Sequence, residues 1–186
     1  MENVAKELIV SGDSNRSDDS KRSDDSVREV TQLNTGNQAM PDSKSWQQLI
    51  EVLIADDHPL VSETIRAVVA RQSDMSVIAA VGDGTDAVAL LDKYQPDIVI
   101  MDINMPQMDG IKATRLIREK SASTHIIMFS NHRNATLVQQ AIKAGASGYV
   151  LKQFALSDIP DAIRTVMSGK MFFSEEIPAN YYSNSE

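Results

Sequence analysis

The sequence contains no cysteine, which excludes a disulfide framework and thiolate metal sites while leaving the redox compartment open. It has no apolar run approaching the roughly 18 residues that a membrane helix needs, so no membrane partner is expected. Residues 1–12 carry no basic stretch followed by an apolar one, which argues against a secretory signal. Positive charge is in short supply: 18 Lys and Arg against 26 Asp and Glu give a net charge of −8. Nothing global therefore points to nucleic acid or to an anionic membrane surface. A cytoplasmic protein is the expectation. Its three histidines, His58, His125 and His132, are not spaced as a ligand set, and none is assigned a role.

What the chain does hold is unevenly distributed. Residues 1–47 are rich in Ser, Asp and Asn, and Arg16-Ser-Asp-Asp-Ser20 recurs as Arg22-Ser-Asp-Asp-Ser26. Such a stretch buries too little apolar surface to offset its ordering entropy, so a disordered leader is expected there. Residues 48–174 read as one domain, and residues 175–186 as a flexible tail or the start of a linker. Within the domain, apolar runs at residues 52–55, 77–81, 98–101, 126–129 and 149–151 alternate with helical patterns. His58-Pro59 opens the first helix, Asn134 can cap the fourth, and Ser157 the fifth. Continuous apolar strands separated by helices predict a doubly wound α/β fold, with five parallel strands covered on both faces. The flavodoxin-like (βα)5 order 2-1-3-4-5 is the common solution, and ligands then bind outside the carboxyl ends of strands 1 and 3.

The strand ends carry the chemistry. Strand 1 ends in Asp56-Asp57, strand 3 in Asp102, strand 4 in Ser130 and strand 5 in Lys152. Carboxylates gathered around one crevice repel by about 4 kcal/mol per pair at ~4 Å and an effective dielectric near 20. Protonation or a cation must relieve them. Oxygen donors without Cys or His suit a hard divalent ion, and magnesium fits best. With it in place one carboxylate can attack a phosphoryl group to give an acyl phosphate. Asp102 is the best nucleophile because it lies between the acidic pair and the Ser130/Lys152 side. Ser130 can hydrogen-bond the attached group, and Lys152 supplies a second positive centre.

These motifs resemble the receiver domain of bacterial two-component response regulators over about residues 50–174. They are Asp56-Asp57-His58-Pro59, then Met101-Asp102-Ile103-Asn104-Met105-Pro106 with Met108-Asp109-Gly110, then Ser130, and Ala144-Gly145-Ala146-Ser147-Gly148-Tyr149-Val150-Leu151-Lys152. The resemblance implies that a histidine kinase or phosphotransfer protein phosphorylates Asp102. It implies magnesium on Asp57, Asp102 and the backbone carbonyl of Asn104, with Asp56 acting largely through water. Ser130 and Lys152 would contact the phosphoryl group. Tyr149 would be the aromatic switch that turns inward on activation, and the face formed by helix 4, strand 5 and helix 5 would report it, with possible homodimerisation. Asn104 and His132 stand where the family tunes the lifetime of the phosphoryl group. Asn131 replaces the family's small residue after the hydroxyl, and Gln153 replaces its proline after the lysine, so the usual cis-proline peptide cannot form.

The proline-free Lys152-Gln153 step and the ending Ser168-Gly169-Lys170-Met171-Phe172-Phe173-Ser174 resemble the branch that precedes a LuxR-type helix-turn-helix domain. That resemblance implies transcription control, with DNA bound only through an output domain absent from this chain. A stand-alone regulator acting by protein contacts is the alternative. No enzymatic turnover is expected beyond self-catalysed phosphoryl acceptance and slow aspartyl-phosphate hydrolysis.

Two rivals use the same residues differently. Gly82-Asp83-Gly84-Thr85-Asp86-Ala87 matches the dinucleotide pattern G-x-G-x-x-A through Gly82, Gly84 and Ala87, with Asp102 twenty residues beyond Gly82. That reading leaves Asp56, Asp57, Ser130 and Lys152 unexplained. A magnesium-dependent phosphatase would need an acid–base Asp two residues after its nucleophile, and that position is Asn104.

Overall fold

The computed structural model describes residues 49–183, and the expected leader over residues 1–47 lies outside the described residues. Each apolar run becomes a strand: β1 (Ile50–Ala55), β2 (Met75–Val81), β3 (Ile98–Asp102), β4 (His125–Ser130) and β5 (Gly148–Leu151). Between and after them lie α1 (Pro59–Val69), α2 (Gly84–Tyr94), α3 (Gly110–Lys120), α4 (Ala135–Ala144) and α5 (Ala155–Met167). A two-residue strand, β6 (Phe172–Phe173), follows α5. All pairings are parallel, and the order is β2-β1-β3-β4-β5-β6.

The five-stranded order is thus as expected, with a sixth strand added at the β5 edge. Phe172 and Phe173 register against Gly148 and Tyr149. Two residues are too few to show a strand periodicity, which is why the sequence reading ends the sheet at β5.

Alternation along the strands divides the core in two. Leu53, Val99, Met101, Ile126, Met128 and Tyr149 face α2, α3 and α4, where Ala87, Leu91, Ala113, Ile117, Val138 and Ala141 meet them. Val52, Ile54, Ile98, Ile100, Phe129 and Val150 face α1 and α5, packing on Ile65, Val69, Ile159, Ile163 and Val166. β3 serves both layers and is buried along its whole length, apolar from Ile98 to Met101 and closed by the buried Asp102.

Helix ends follow local chemistry. Asp83, Asp109 and Asn134 each accept a backbone N–H from the first turn of α2, α3 and α4, at 2.7, 2.8 and 3.0 Å. Gly145 ends α4 at φ 97°, a left-handed conformation that favours glycine. Ser157 does not cap α5. A 3-10 turn over Lys152–Phe154 runs straight into the helix, so α5 begins at Ala155 and the Ser157 hydroxyl donates back to the Phe154 carbonyl at 3.1 Å.

Beyond β6 the chain does not leave the domain as a tail. Ser174 is buried, accepting the Leu151 N–H at 3.0 Å on its hydroxyl and donating that hydroxyl to Asp158. Ile177 is only 3% exposed within the α2–α4 core layer, and Tyr182 stacks on Phe173 at 3.7 Å between ring centroids. The expected tail from residue 175 is therefore, up to residue 183, a strap over the β5 edge. Two aromatic rings and one aliphatic side chain bury enough apolar surface to hold it.

Candidate functional site

β1, β3, β4 and β5 are parallel neighbours, so their carboxyl ends open on one side of the sheet and bring the expected residues together. Asp56 and Asp57 follow β1, Asp102 closes β3, Ser130 closes β4, and Lys152 follows β5 directly. Asp56, Asp102 and Ser130 are buried. The Lys152 ammonium lies 2.7 Å from Asp56 Oδ2 and 2.9 Å from Asp102 Oδ2, bridging the two acids across the crevice. Burial pushes the Asp102 carboxyl above the usual carboxylate range. Lys152 pulls against that rise, while the Asp56 charge adds to it.

The loop after β3 holds Asp102 from the other side. The Asn104 N–H donates to Asp102 Oδ1 at 3.3 Å, while the Gly110 N–H donates to the Ile103 carbonyl at 2.9 Å. Gly110 is required by close approach. A Cβ there would lie 2.9 Å from the Asp102 carbonyl carbon and collide with its oxygen. Asp109-Gly110 thus brings the start of α3 against the backbone of Asp102.

Tyr149, expected to turn inward on activation, lies inward in this structure. It is 1% exposed, and its hydroxyl donates to the His132 carbonyl at 2.6 Å. The His132 N–H in turn donates to Ser130 Oγ at 3.1 Å, so the β4–α4 loop links Ser130 to Tyr149. Asn131 and Gln153 line a cleft of about 260 Å³ with Ser130, Arg133, Leu151 and Lys152. The two departures from the family pattern therefore stand at the approach to Ser130 and Lys152.

The donor set fits magnesium. One oxygen from each of Asp56, Asp57 and Asp102 lies within 4.8 Å of the others, alongside one nitrogen of His58. The ammonium drawn between two of these acids shows that the crevice demands positive charge.

His58, to which the sequence reading assigns no role, stands beside the two acids after β1. Its Nδ1 lies 2.8 Å from Asp57 Oδ1 and 3.2 Å from Asp56 Oδ1, and it makes no side-chain cap to α1. The available signal was Pro59, because a residue before proline is held extended, here at φ −100° and ψ 106°. The Gly82-Asp83-Gly84 turn goes the other way. The Asp83 carboxylate caps α2 at Thr85 N and also accepts the Met108 N–H at 3.4 Å, so it fills the helix end where a dinucleotide phosphate would bind.

A parallel, helix-covered sheet with paired acids, a central aspartate, a buried hydroxyl and a lysine at successive strand ends defines a receiver-like fold. Residues 52–164 match the response regulator receiver domain, and the chain belongs to that family. It is 34% identical over 131 residues to the transcriptional regulatory protein DegU of Brevibacillus brevis, covering 70% of this chain and 56% of that protein. It is 32% identical to the nitrate/nitrite response regulator protein NarL of Escherichia coli strain K12, covering 72% of this chain and 62% of that one. Among solved structures, a LuxR-family two-component response regulator from Aurantimonas superposes with a TM-score of 0.67 at 34% identity, covering 70% and 93% of the two chains. The isolated receiver domain of RcsB from Salmonella enterica, in the presence of phosphomimetic BeF3−, gives 0.65 at 30% identity, covering 70% and 96%. The chain spans about three fifths of the length of the curated relatives it matches. Among the described residues no helix is long and apolar enough to cross a membrane.

Proposed function

We propose that the chain is the phosphoacceptor switch of a two-component pathway, taking a phosphoryl group from a histidine kinase or phosphotransfer protein onto Asp102. The observation that carries this reading is the Lys152 bridge, which holds the Asp102 carboxylate in the crevice where β3 and β4 end side by side. In the transfer the phosphorus–nitrogen bond of a phosphohistidine breaks, a phosphorus–oxygen bond to the Asp102 carboxylate forms, and the imidazole leaves neutral, keeping the proton its other ring nitrogen already carries. Asp57 and Asp102, with the Asn104 carbonyl, would hold magnesium, and Asp56 would act through water. The ion supplies charge neutralisation for the phosphoryl oxygens. Lys152 shifts from pairing two carboxylates to pairing the phosphoryl group, and the Ser130 hydroxyl donates to it. Each such bond to a charged group contributes roughly 1.5–3 kcal/mol. Moving a 1:99 equilibrium to 99:1 takes about 5.5 kcal/mol, so the two bonds supply most of it.

The changed face is α4, β5 and α5, together with the strap bonded to the backbone of Tyr149 and Leu151. Transcription control completes the reading on the strength of DegU's name, and homodimerisation with DNA bound through an output domain on the strength of the similar RcsB, solved as two dimers bound to two parallel DNAs. The chain acts as an acceptor with slow self-hydrolysis and no other turnover.

The test is intact mass after incubation with acetyl phosphate and magnesium. One added phosphoryl group is expected, and Asp102→Asn must abolish it. Unchanged labelling of that variant overturns the assignment. Whether DNA-binding residues follow Glu186 is read directly from the coding sequence.

A further inference from the structure

Where β6 ends, a side chain continues its ladder. Ser174 donates its N–H to the Tyr149 carbonyl at 3.0 Å, and its Oγ accepts the Leu151 N–H at 3.0 Å, so one residue serves both of these β5 groups. The hydroxyl proton goes to Asp158 in the first turn of α5, and the Ser174 carbonyl accepts the Ile177 N–H at 2.9 Å. Every polar atom of Ser174 is thus engaged, in a residue only 1% exposed.

Between the two groups that this hydroxyl joins lies Lys152. Leu151 closes β5, the turn Lys152–Phe154 follows, and α5 then carries Asp158. A single oxygen therefore ties down the chain before the turn and after it. The lysine has a flexible four-carbon stem, yet its ammonium lies 2.7 Å from one acid and 2.9 Å from another. Such a reach is reproducible only from a fixed backbone. Misplacing a working group by about 1 Å can slow a reaction ~100-fold.

We propose that Ser174 is a positioning residue for Lys152, clamping the turn between β5 and α5 so that the ammonium meets the phosphoryl group arriving at Asp102. The proposal rests on the phosphoacceptor reading above and makes the strap part of that machinery. The competing account is that Ser174 only satisfies the edge of β5. In that case it contributes to stability and leaves the rate of phosphorylation alone.

Initial rates at which acetyl phosphate and Mg2+ label the full chain, read by intact mass, separate the two. Ser174→Ala is expected to label at least about tenfold more slowly than the parent. Val69→Ala opens a cavity in the core at the end of α1 remote from the crevice, and is expected to label at the parental rate despite its lower stability. Adding Ser174→Ala to Lys152→Met is expected to slow labelling no further, because an absent charge cannot be misplaced. Parental labelling of Ser174→Ala, equal slowing in Val69→Ala, or a further loss in the double variant overturns the proposal. Should Ser174→Ala not fold, Asp158→Ala takes its place, since it frees the α5 end of the clamp and keeps the Leu151 bond. Slower labelling is expected there too, and a parental rate overturns the proposal. Labelling that survives Asp102→Asn overturns the phosphoacceptor reading itself.

Discussion

Replacing Lys152 with methionine keeps a side chain of similar length and removes its charge, which isolates the electrostatics of the crevice. The ammonium lies 2.7 Å from one carboxylate and 2.9 Å from the other, and the side chains of Lys152, Asp56 and Asp102 are only 10%, 1% and 4% exposed. At an effective dielectric near 20 and ~4 Å between charge centres, each attraction amounts to about 4 kcal/mol. Desolvation of three buried ions offsets much of the sum, so the intact bridge adds little net stability. Breaking it is another matter, since two buried acids are left facing each other without a counter-charge. The expected loss is about 3–5 kcal/mol, a large share of the ~5–15 kcal/mol that holds a domain folded. Urea unfolding followed by far-UV circular dichroism at pH 7.5 in EDTA reads it as a lower midpoint at unchanged slope. Two additions should reverse the loss. Mg2+ replaces the missing positive charge. Acid does so by protonation, because burial already raises the Asp102 carboxyl and the variant removes the lysine that opposes the rise. The folded variant then binds a proton more readily than the unfolded chain, so its stability rises as pH falls from the raised value towards the ordinary range near ~4. A deficit below about 1 kcal/mol in EDTA, or one that neither Mg2+ nor acid reduces, refutes this account.

Other positions give independent tests. Gly110→Ala forces a methyl group against the Asp102 carbonyl and is expected to cost about 3 kcal/mol or more in a thermal melt, with slower acetyl phosphate labelling. Ser174→Ala leaves the buried Leu151 N–H without its acceptor and is expected to cost about 1–3 kcal/mol, with faster amide exchange at Leu151. Exchange at Leu151 equal to that of the parent counts against the strap. His125 titrates below its ordinary 6.5 because burial, and then the charge of Arg118, disfavour its imidazolium. Its contribution to stability is thus complete above 6.5 and is lost as pH falls through the lower folded value. The difference in urea midpoint between parent and His125→Asn should change across that window, and a constant difference refutes the assignment.

The parts of the fold that were legible are those where burial is two-sided. Residues 98–101 and 126–129 carry only apolar side chains because helices cover both faces of the sheet, and such runs stand out in any sequence. Asp102, Ser130 and Lys152 were legible for a related reason, since each is a polar residue closing an apolar strand. His58 was not, because three consecutive polar residues give no clue to which side chains converge once the strand has ended. Its position depends on the backbone restriction imposed by Pro59 and on the Asp56 carboxylate that holds its amide. The strap was hidden because its anchors, Ile177 and Tyr182, are single apolar residues in a polar setting with no period. Ser157 misled because an N-cap is local chemistry, while the start of α5 is set by the turn entering from β5.

The sixth strand has a consequence for how copies of the protein behave at high concentration. A sheet ending at β5 would offer the backbone of Gly148–Leu151 as a template for strand addition by another molecule, beside the buried apolar side chains of Tyr149, Val150 and Leu151. Phe172 and Phe173 cover two of those positions, and the Ser174 hydroxyl takes the Leu151 amide. The new margin is only two residues long, with acidic Glu175 and Glu176 following one residue later. Short, charged margins propagate sheets poorly, so a version cut before Phe172 would expose the longer template and aggregate where the intact chain stays dispersed.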